Sequence, residues 1–247
     1  MAIELGLLTA GAYLLGSVPS AYLVAKWSRG IDIRHYGSGN VGAANILTVV
    51  SKRWGIPVII FDLVKGMILV YVARWIGLGV IQQVTVGLAA IIGHNWPVFL
   101  HFKGGRGGLT LLGVAIILTP QLALPLFLIV IISGLFHQMA LGMLVAVVAL
   151  PVCSWFLSRP LGITEDSLGL TLGFLAIFLV TVVRRLAVPR SAIAISISTP
   201  ELLFNRLIFD RDIRNREAWI HRTPLQADSA ERTSRQEEKQ GKDPQIR

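Results

Sequence analysis

Cysteine is nearly absent from this chain: Cys153 is the single one in 247 residues, so no intrachain disulfide can form and the redox compartment stays open. That cysteine lies inside an apolar run and reads as a packing residue. Charge is scarce too, at 15% of residues, and acidic side chains are rarer still before residue 184. This poverty excludes an ordinary soluble domain. Other absences narrow the chemistry. There is no Gly-x-Ser-x-Gly elbow, no His-x4-Asp acyltransferase pair and no Walker sequence. No Cys/His cluster exists, and His35, His101, His137 and His221 show no metal-ligand spacing, so no metal is expected. The N-terminus has no cationic region followed by a small-residue cleavage site, so the first apolar span is expected to be retained.

What the chain has instead is apolar sequence, 53% of residues with a mean hydropathy of +0.65. Windows of about 20 apolar residues, the length that a hydrocarbon core of ~30 Å demands, recur through residues 1–183 and then stop. They predict an all-α polytopic membrane helix bundle of about seven transmembrane helices, at residues 5–27, 56–76, 80–92, 109–119, 121–136, 139–157 and 168–183. Pro120 divides a run too long for one untilted crossing. The formal charge is +9, but no basic stripe with interleaved aromatics stands out, so nucleic acid is not expected as a partner. Twenty of the 23 Lys/Arg fall on one side of the seven crossings, with Arg74 and Arg159 on the other and Lys65 inside the second span. The positive-inside rule then predicts an external N-terminus and a cytoplasmic C-terminus.

The chain divides into a transmembrane domain at 1–185, a cytoplasmic amphipathic extension at 186–225 and a disordered tail at 226–247. Residues 192–198 alternate apolar and small polar side chains, a pattern for a short strand or an extended surface segment. Thr199-Pro200-Glu201 is a helix start. The apolar side of the helix that follows, with Leu202, Leu203, Phe204, Leu207 and Ile208, predicts a helix lying on the cytoplasmic leaflet.

Chemistry concentrates in two glycine-dense loops on the predicted cytoplasmic side. In the first, Gly37-Ser-Gly-Asn-Val-Gly-Ala-Ala-Asn45, Gly37, Gly39 and Gly42 let several backbone N–H groups turn toward one point, a way to cradle an anion. Ser38, Asn40 and Asn45 add side-chain donors. A tight turn that merely needs glycine is the plainer reading of this stretch alone. In the second loop, Lys103 and Arg106 bracket Gly104-Gly105, so two cations and backbone N–H groups can converge on a phosphate. Their plainer role is to anchor the next helix. His94 and Asn95 end the third span at the same boundary. His94 suits a general base, a donor to substrate, or a histidine satisfied by a carbonyl at a helix end. Asp62 and Lys65, three apart in the second span, either pair or look into one cavity.

Together the loops carry a resemblance. Gly37-Ser-Gly-Asn-Val-Gly-Ala-Ala-Asn45, Asp62-Leu-Val-Lys-Gly66 and Gly93-His-Asn-Trp-Pro-Val-Phe through Phe102-Lys-Gly-Gly-Arg-Gly107 resemble, in order and spacing, the signatures of the bacterial acyl-phosphate:glycerol-3-phosphate acyltransferases of the PlsY type. The resemblance spans roughly residues 1–185. It implies a seven-helix enzyme of the bacterial plasma (inner) membrane, without metal or coenzyme, that moves a fatty acyl group from acyl phosphate to the 1-hydroxyl of glycerol 3-phosphate and yields lysophosphatidic acid. On that resemblance Ser38 is the catalytic serine, with Asn40 and His94 as further catalytic candidates. Gly37, Gly39, Asn45, Asp62, Lys65, Lys103, Gly104, Gly105 and Arg106 are candidates for binding substrate, Arg106 standing where the family usually has a lysine. The chain also departs from the pattern. Thr48 stands at the place of a usual arginine and Ala44 at that of a threonine. The family's third motif, with a histidine and an asparagine after the last span, is replaced by Val182-Val-Arg-Arg-Leu-Ala-Val-Pro189. Asn205-Arg206-Leu207 echoes only the end of it. A non-catalytic relative that binds phosphate or anionic lipid, and an anion transporter, are the alternatives.

Overall fold

The protein is described by a computed structural model over residues 2–163 and 166–221. The expected disordered tail, 226–247, lies outside the described residues. In chain order the helices are α1 (Ala2–Gly16), α2 (Ser20–Arg29), α3 (Ala43–Val49), α4 (Lys52–Trp75), α5 (Val80–Asn95), α6 (Gly108–Leu118), α7 (Pro120–Leu135), α8 (Met139–Leu157), α9 (Ser167–Leu186), α10 (Thr199–Phe209) and α11 (Arg216–Ile220). Among the described residues there is no strand. The segment 192–198, expected as a strand or extended, instead turns through a short 3-10 helix at Ala192–Ala194. With no neighbouring edge to pair with, its backbone groups are met locally, Ala194 N–H by the Ser191 carbonyl and Ile197 N–H by that of Ala194.

Four stretches are long and apolar enough to cross a membrane: Ala2–Arg29, Lys52–Trp75, Met139–Leu157 and Ser167–Leu186. The apolar helices α6 and α7 are shorter and meet at Thr119-Pro120, as the proline dictates. The first span, expected as one kinked helix, is two helices broken at Ser17-Val18-Pro19. The break frees the Val18 carbonyl, which Lys65 Nζ takes up at 3.2 Å.

Large apolar side chains point outward along these helices, among them Ile60, Leu128, Phe156 and Leu179, while Asp62, Lys65 and Asn95 are buried. That inversion of the soluble pattern suits a hydrocarbon surround. α5 runs through the middle, packed on α1, α4, α6 and α9. Its approach to α1 is a backbone contact: a Cβ on Gly16 would lie 2.2 Å from the Ala90 carbonyl oxygen, and one on Gly93 2.2 Å from that of Tyr13. The end of α5 is thereby fixed beside the α1–α2 break.

α10 docks on the bundle through a mixed apolar and polar face. It packs on α8 and α9 with Leu202, Asn205 and Arg206 buried, while Leu203 and Phe204 stay exposed. The cause is the carbonyl end of α9, whose unpaired acceptors attract a cation. Arg206 donates to the carbonyls of Leu186 (2.9 Å) and Pro189 (3.1 Å) and pairs with Asp212 at 2.7 Å.

Candidate active site

The first loop is built around Asn45. Its Oδ1 accepts the Ser38 backbone N–H at 3.1 Å, and its Nδ2 donates to the carbonyls of Tyr36 (3.0 Å), Asn40 (3.1 Å) and Ile33 (3.3 Å). Gly37 and Gly39 take φ of +57° and +70°, which makes the tight turn that carries Ser38 between them. The Asn40 N–H donates to Ser38 Oγ at 3.3 Å. The Asn45 amide, a candidate for binding substrate, is buried and engaged by the loop's own backbone, including the N–H of Ser38. Just upstream, Asp32 accepts from the Arg34 backbone and guanidinium. Partial burial raises the Asp32 pKa, the Arg34 hydrogen bonds lower it by more, and the net shift is downward.

The second loop folds back on the end of α5. The Gly105 N–H donates to the His94 carbonyl at 3.1 Å. A Cβ on Gly105 would lie 2.2 Å from His94 Nε2 and 2.4 Å from the Val41 carbonyl oxygen. Only glycine fits there, and Val41 belongs to the first loop, so the two glycine loops touch through their backbones. The His94 side chain is buried, with Nδ1 3.4 Å from Thr110 Oγ1 and 3.8 Å from Asp62 Oδ1. A small pocket borders it, lined by Ser17, Pro19, Ser20, Val41, Pro97 and Gly104 among others.

Asp62 and Lys65 do not line an open cavity. They form a buried ion pair at 2.8 Å, with Ser20 Oγ donating to the same carboxylate oxygen at 2.8 Å. Together with the Lys65 bond to Val18, this clamps the α1–α2 break to α4. Of the two readings open for this pair, the structure shows the paired arrangement, in which the freed Val18 carbonyl and the Ser20 hydroxyl give the buried charges the extra partners they need.

Lys103 is exposed beside the second loop, and Arg106 is mostly buried, at 20% side-chain exposure. Arg106 donates from NH1 to the Arg184 carbonyl at 2.9 Å, and its Nε lies 2.9 Å from Asp210 Oδ1. Arg184, in the last turn of α9, donates to the carbonyls of Gly105 (2.8 Å) and Gly104 (2.7 Å) and lies over the Trp96 ring, 5.7 Å from its centroid. One guanidinium thus fixes both peptide carbonyls of the Gly-Gly turn. In the sequence Arg184-Arg185 stood only as part of the stretch that replaces the family's third motif. The sequence held no signal for Thr110 beside His94 or Asp210 beside Arg106.

Residues 6–195 match the family model described as glycerol-3-phosphate acyltransferase. "Glycerol-3-phosphate acyltransferase 4" of Dehalococcoides mccartyi (strain CBDB1) is 48% identical over 210 residues, 85% of this chain and 90% of that protein. "Glycerol-3-phosphate acyltransferase 5" of a second Dehalococcoides mccartyi strain is 45% identical over 230 residues, 93% and 98% of the two chains. That second match reaches well past residue 195, into the extension. The fold is similar to the crystal structure of PlsY (YgiH), an integral membrane glycerol 3-phosphate acyltransferase, in its glycerol 3-phosphate form. There the TM-score is 0.67 at 29% identity, over 85% of this chain and 95% of that one. The lysophosphatidic acid form gives 0.65 at 28% identity over 88% and 99%. With the three motifs on one end of an all-helical membrane bundle, the chain belongs to the glycerol-3-phosphate acyltransferase family, acyltransferases of phospholipid biosynthesis.

Proposed function

We propose that the acyl donor is an acyl phosphate, and that its acyl group passes to the 1-hydroxyl of glycerol 3-phosphate in the cup where the two glycine loops meet. The observation that carries this reading is the contact of Gly105 with the Val41 carbonyl, which brings the Ser38 turn and the Lys103–Arg106 turn into one neighbourhood. The acceptor oxygen forms an ester bond to the acyl carbon, the carbon–oxygen bond to phosphate breaks, and inorganic phosphate leaves. The hydroxyl proton passes to a phosphate oxygen. An acyl phosphate is already activated, so the protein's share is orientation and charge neutralisation.

In this reading the Ser38 hydroxyl and Asn40 orient the reacting groups, on a turn whose own N–H groups at Ser38 and Gly39 are held by Asn45 Oδ1 and the Tyr36 carbonyl. Arg106 and Lys103 hold phosphate, while His94 supports the cup from the end of α5. An apolar cavity between α6, α7 and α8 starts at Gly108, two residues from Arg106, and is lined by Leu111, Ala115, Leu126, Val130 and Val147 among others. Counting α1 and α2 as one crossing, the chain crosses the bacterial inner membrane seven times with its N-terminus outside and both loops in the cytoplasm, which the Lys/Arg bias supports.

Purified protein in detergent, given acyl phosphate and radiolabelled glycerol 3-phosphate, is expected to form lysophosphatidic acid. Product formed from an acyl thioester but not from acyl phosphate would refute the donor. Binding without turnover would favour the non-catalytic alternative, and movement of glycerol 3-phosphate only across sealed vesicles would favour transport.

A further inference from the structure

Asp210 lies beyond residue 195, where the match to the family model ends, yet its carboxylate meets a cation of the candidate site. It closes α10 in the left-handed conformation at φ +54°, with its N–H donating to the Arg206 carbonyl at 3.1 Å. Asp tolerates that conformation better than most side chains. The two residues that flank it in the fold, Arg206 and Asp212, are buried and bonded to each other and to residues 186–191. The carboxylate is therefore held by a fixed scaffold.

The contact takes one edge of the Arg106 guanidinium. Nε faces Asp210 Oδ1 at 2.9 Å as an ion pair without aligned hydrogen-bond geometry, and NH1 donates once to the Arg184 carbonyl. Among the described residues NH2 makes no hydrogen bond. An arginine binds phosphate through a planar fork, so its plane must be set before the ligand arrives. A lysine, as a point charge, needs no such setting.

We propose that Asp210 is a positioning residue for the acceptor's phosphate: it orients the Arg106 guanidinium, so that the extension after residue 195 completes the acceptor site. This rests on Arg106 being the phosphate ligand. The opposite possibility, a carboxylate that occupies the phosphate's place and must be displaced, predicts the reverse kinetics.

Initial rates of the full-length protein in detergent, varying glycerol 3-phosphate and acyl phosphate separately, test the inference. Asp210→Asn is expected to raise KM for glycerol 3-phosphate about tenfold, with kcat changed by less than about twofold and KM for acyl phosphate unmoved. Asp210→Glu keeps the charge and is expected to restore most of that loss, which a merely structural role would not require. Arg106→Lys/Asp210→Asn is expected to be no worse than Arg106→Lys alone. If Arg106→Ala raises KM for glycerol 3-phosphate and Asp210→Asn does not, the inference fails while the reading of Arg106 stands. A lower KM in Asp210→Asn overturns positioning in favour of displacement, and equal KM values in Asp210→Glu and Asp210→Asn overturn the role of charge. An unchanged KM in Arg106→Ala removes the premise itself.

Discussion

Asn45 holds Ser38 from seven residues away, its Oδ1 accepting the Ser38 backbone N–H at 3.1 Å while its Nδ2 holds three carbonyls of the same loop. On the proposed reading, the chemistry of this loop falls to Ser38 and most of its scaffolding to Asn45. Ser38→Ala is expected to cut acyl transfer by about 100-fold with the thermal unfolding midpoint unchanged. Asn45→Ala is expected to lose both activity and about 1–3 kcal/mol of stability, because buried backbone groups lose their partners. Rates and unfolding curves measured on the same detergent preparations check the separation. Equal destabilisation by both variants would contradict it.

The backbone contact between the two loops makes a second test. Gly105→Ala places a methyl against His94 Nε2 and the Val41 carbonyl. The Val41 carbonyl is backbone and cannot retreat without moving the first loop, so activity is expected to fall at least about 100-fold through misplacement of the reacting groups. Gly30→Ala is the control. Gly30 also has a positive φ, +68°, but nothing lies within 4 Å of its Cβ position, so only about 1–2 kcal/mol of backbone strain is expected and the rate should hold. A Gly105→Ala enzyme as active as Gly30→Ala would mean that the cup does not depend on this contact.

Much of this was legible in the sequence, and the limits have physical causes. Pro120 announced the α6–α7 break, since proline removes a donor and restricts its neighbour, and the glycine loops announced themselves by spacing. The Asp62/Lys65 spacing showed that the two share a face. It could not show that Val18 and Ser20 would supply partners, because those arise from a break in another helix. α5 runs to Asn95 and α9 to Leu186, past the hydropathy limits of 92 and 183, because their polar last turns are buried against other elements. At α10 hydropathy marked the apolar side chains but gave no sign that Arg206 would be buried, because the carbonyl end of α9 draws it inward, an attraction between elements that no periodicity encodes.

The buried clamp on the α1–α2 break gives a third prediction. Lys65→Met leaves the Asp62 carboxylate buried without its counter-charge and is expected to cost about 3–5 kcal/mol, read from thermal unfolding. Asp62→Leu with Lys65→Met removes both charges and is expected to recover most of that loss. At a temperature where each variant is folded, KM for glycerol 3-phosphate should stay close to that of the parent. A large KM change in a stable variant would return the pair to the substrate site.

Acid should detach the extension at a pH set by Asp212. Burial raises the pKa of this carboxyl, but the hydrogen bonds from Arg206 and from the Ser191 N–H outweigh it, leaving it below its ordinary 3.8. A folded-state pKa below the unfolded one means that docking binds fewer protons than release does. Its stabilisation is then complete above the ordinary carboxylate range and is lost as pH falls through the depressed value. Amide exchange across residues 199–212 is therefore expected to show constant protection from about pH 5 to 8, after correction for intrinsic rates, and to lose it below about pH 4. Asp212→Asn should exchange fast even at neutral pH. Because α10 carries Asp210 to Arg106, the same variant should also weaken glycerol 3-phosphate binding. Protection that already falls between pH 8 and pH 6 would point to a group other than Asp212 as the anchor.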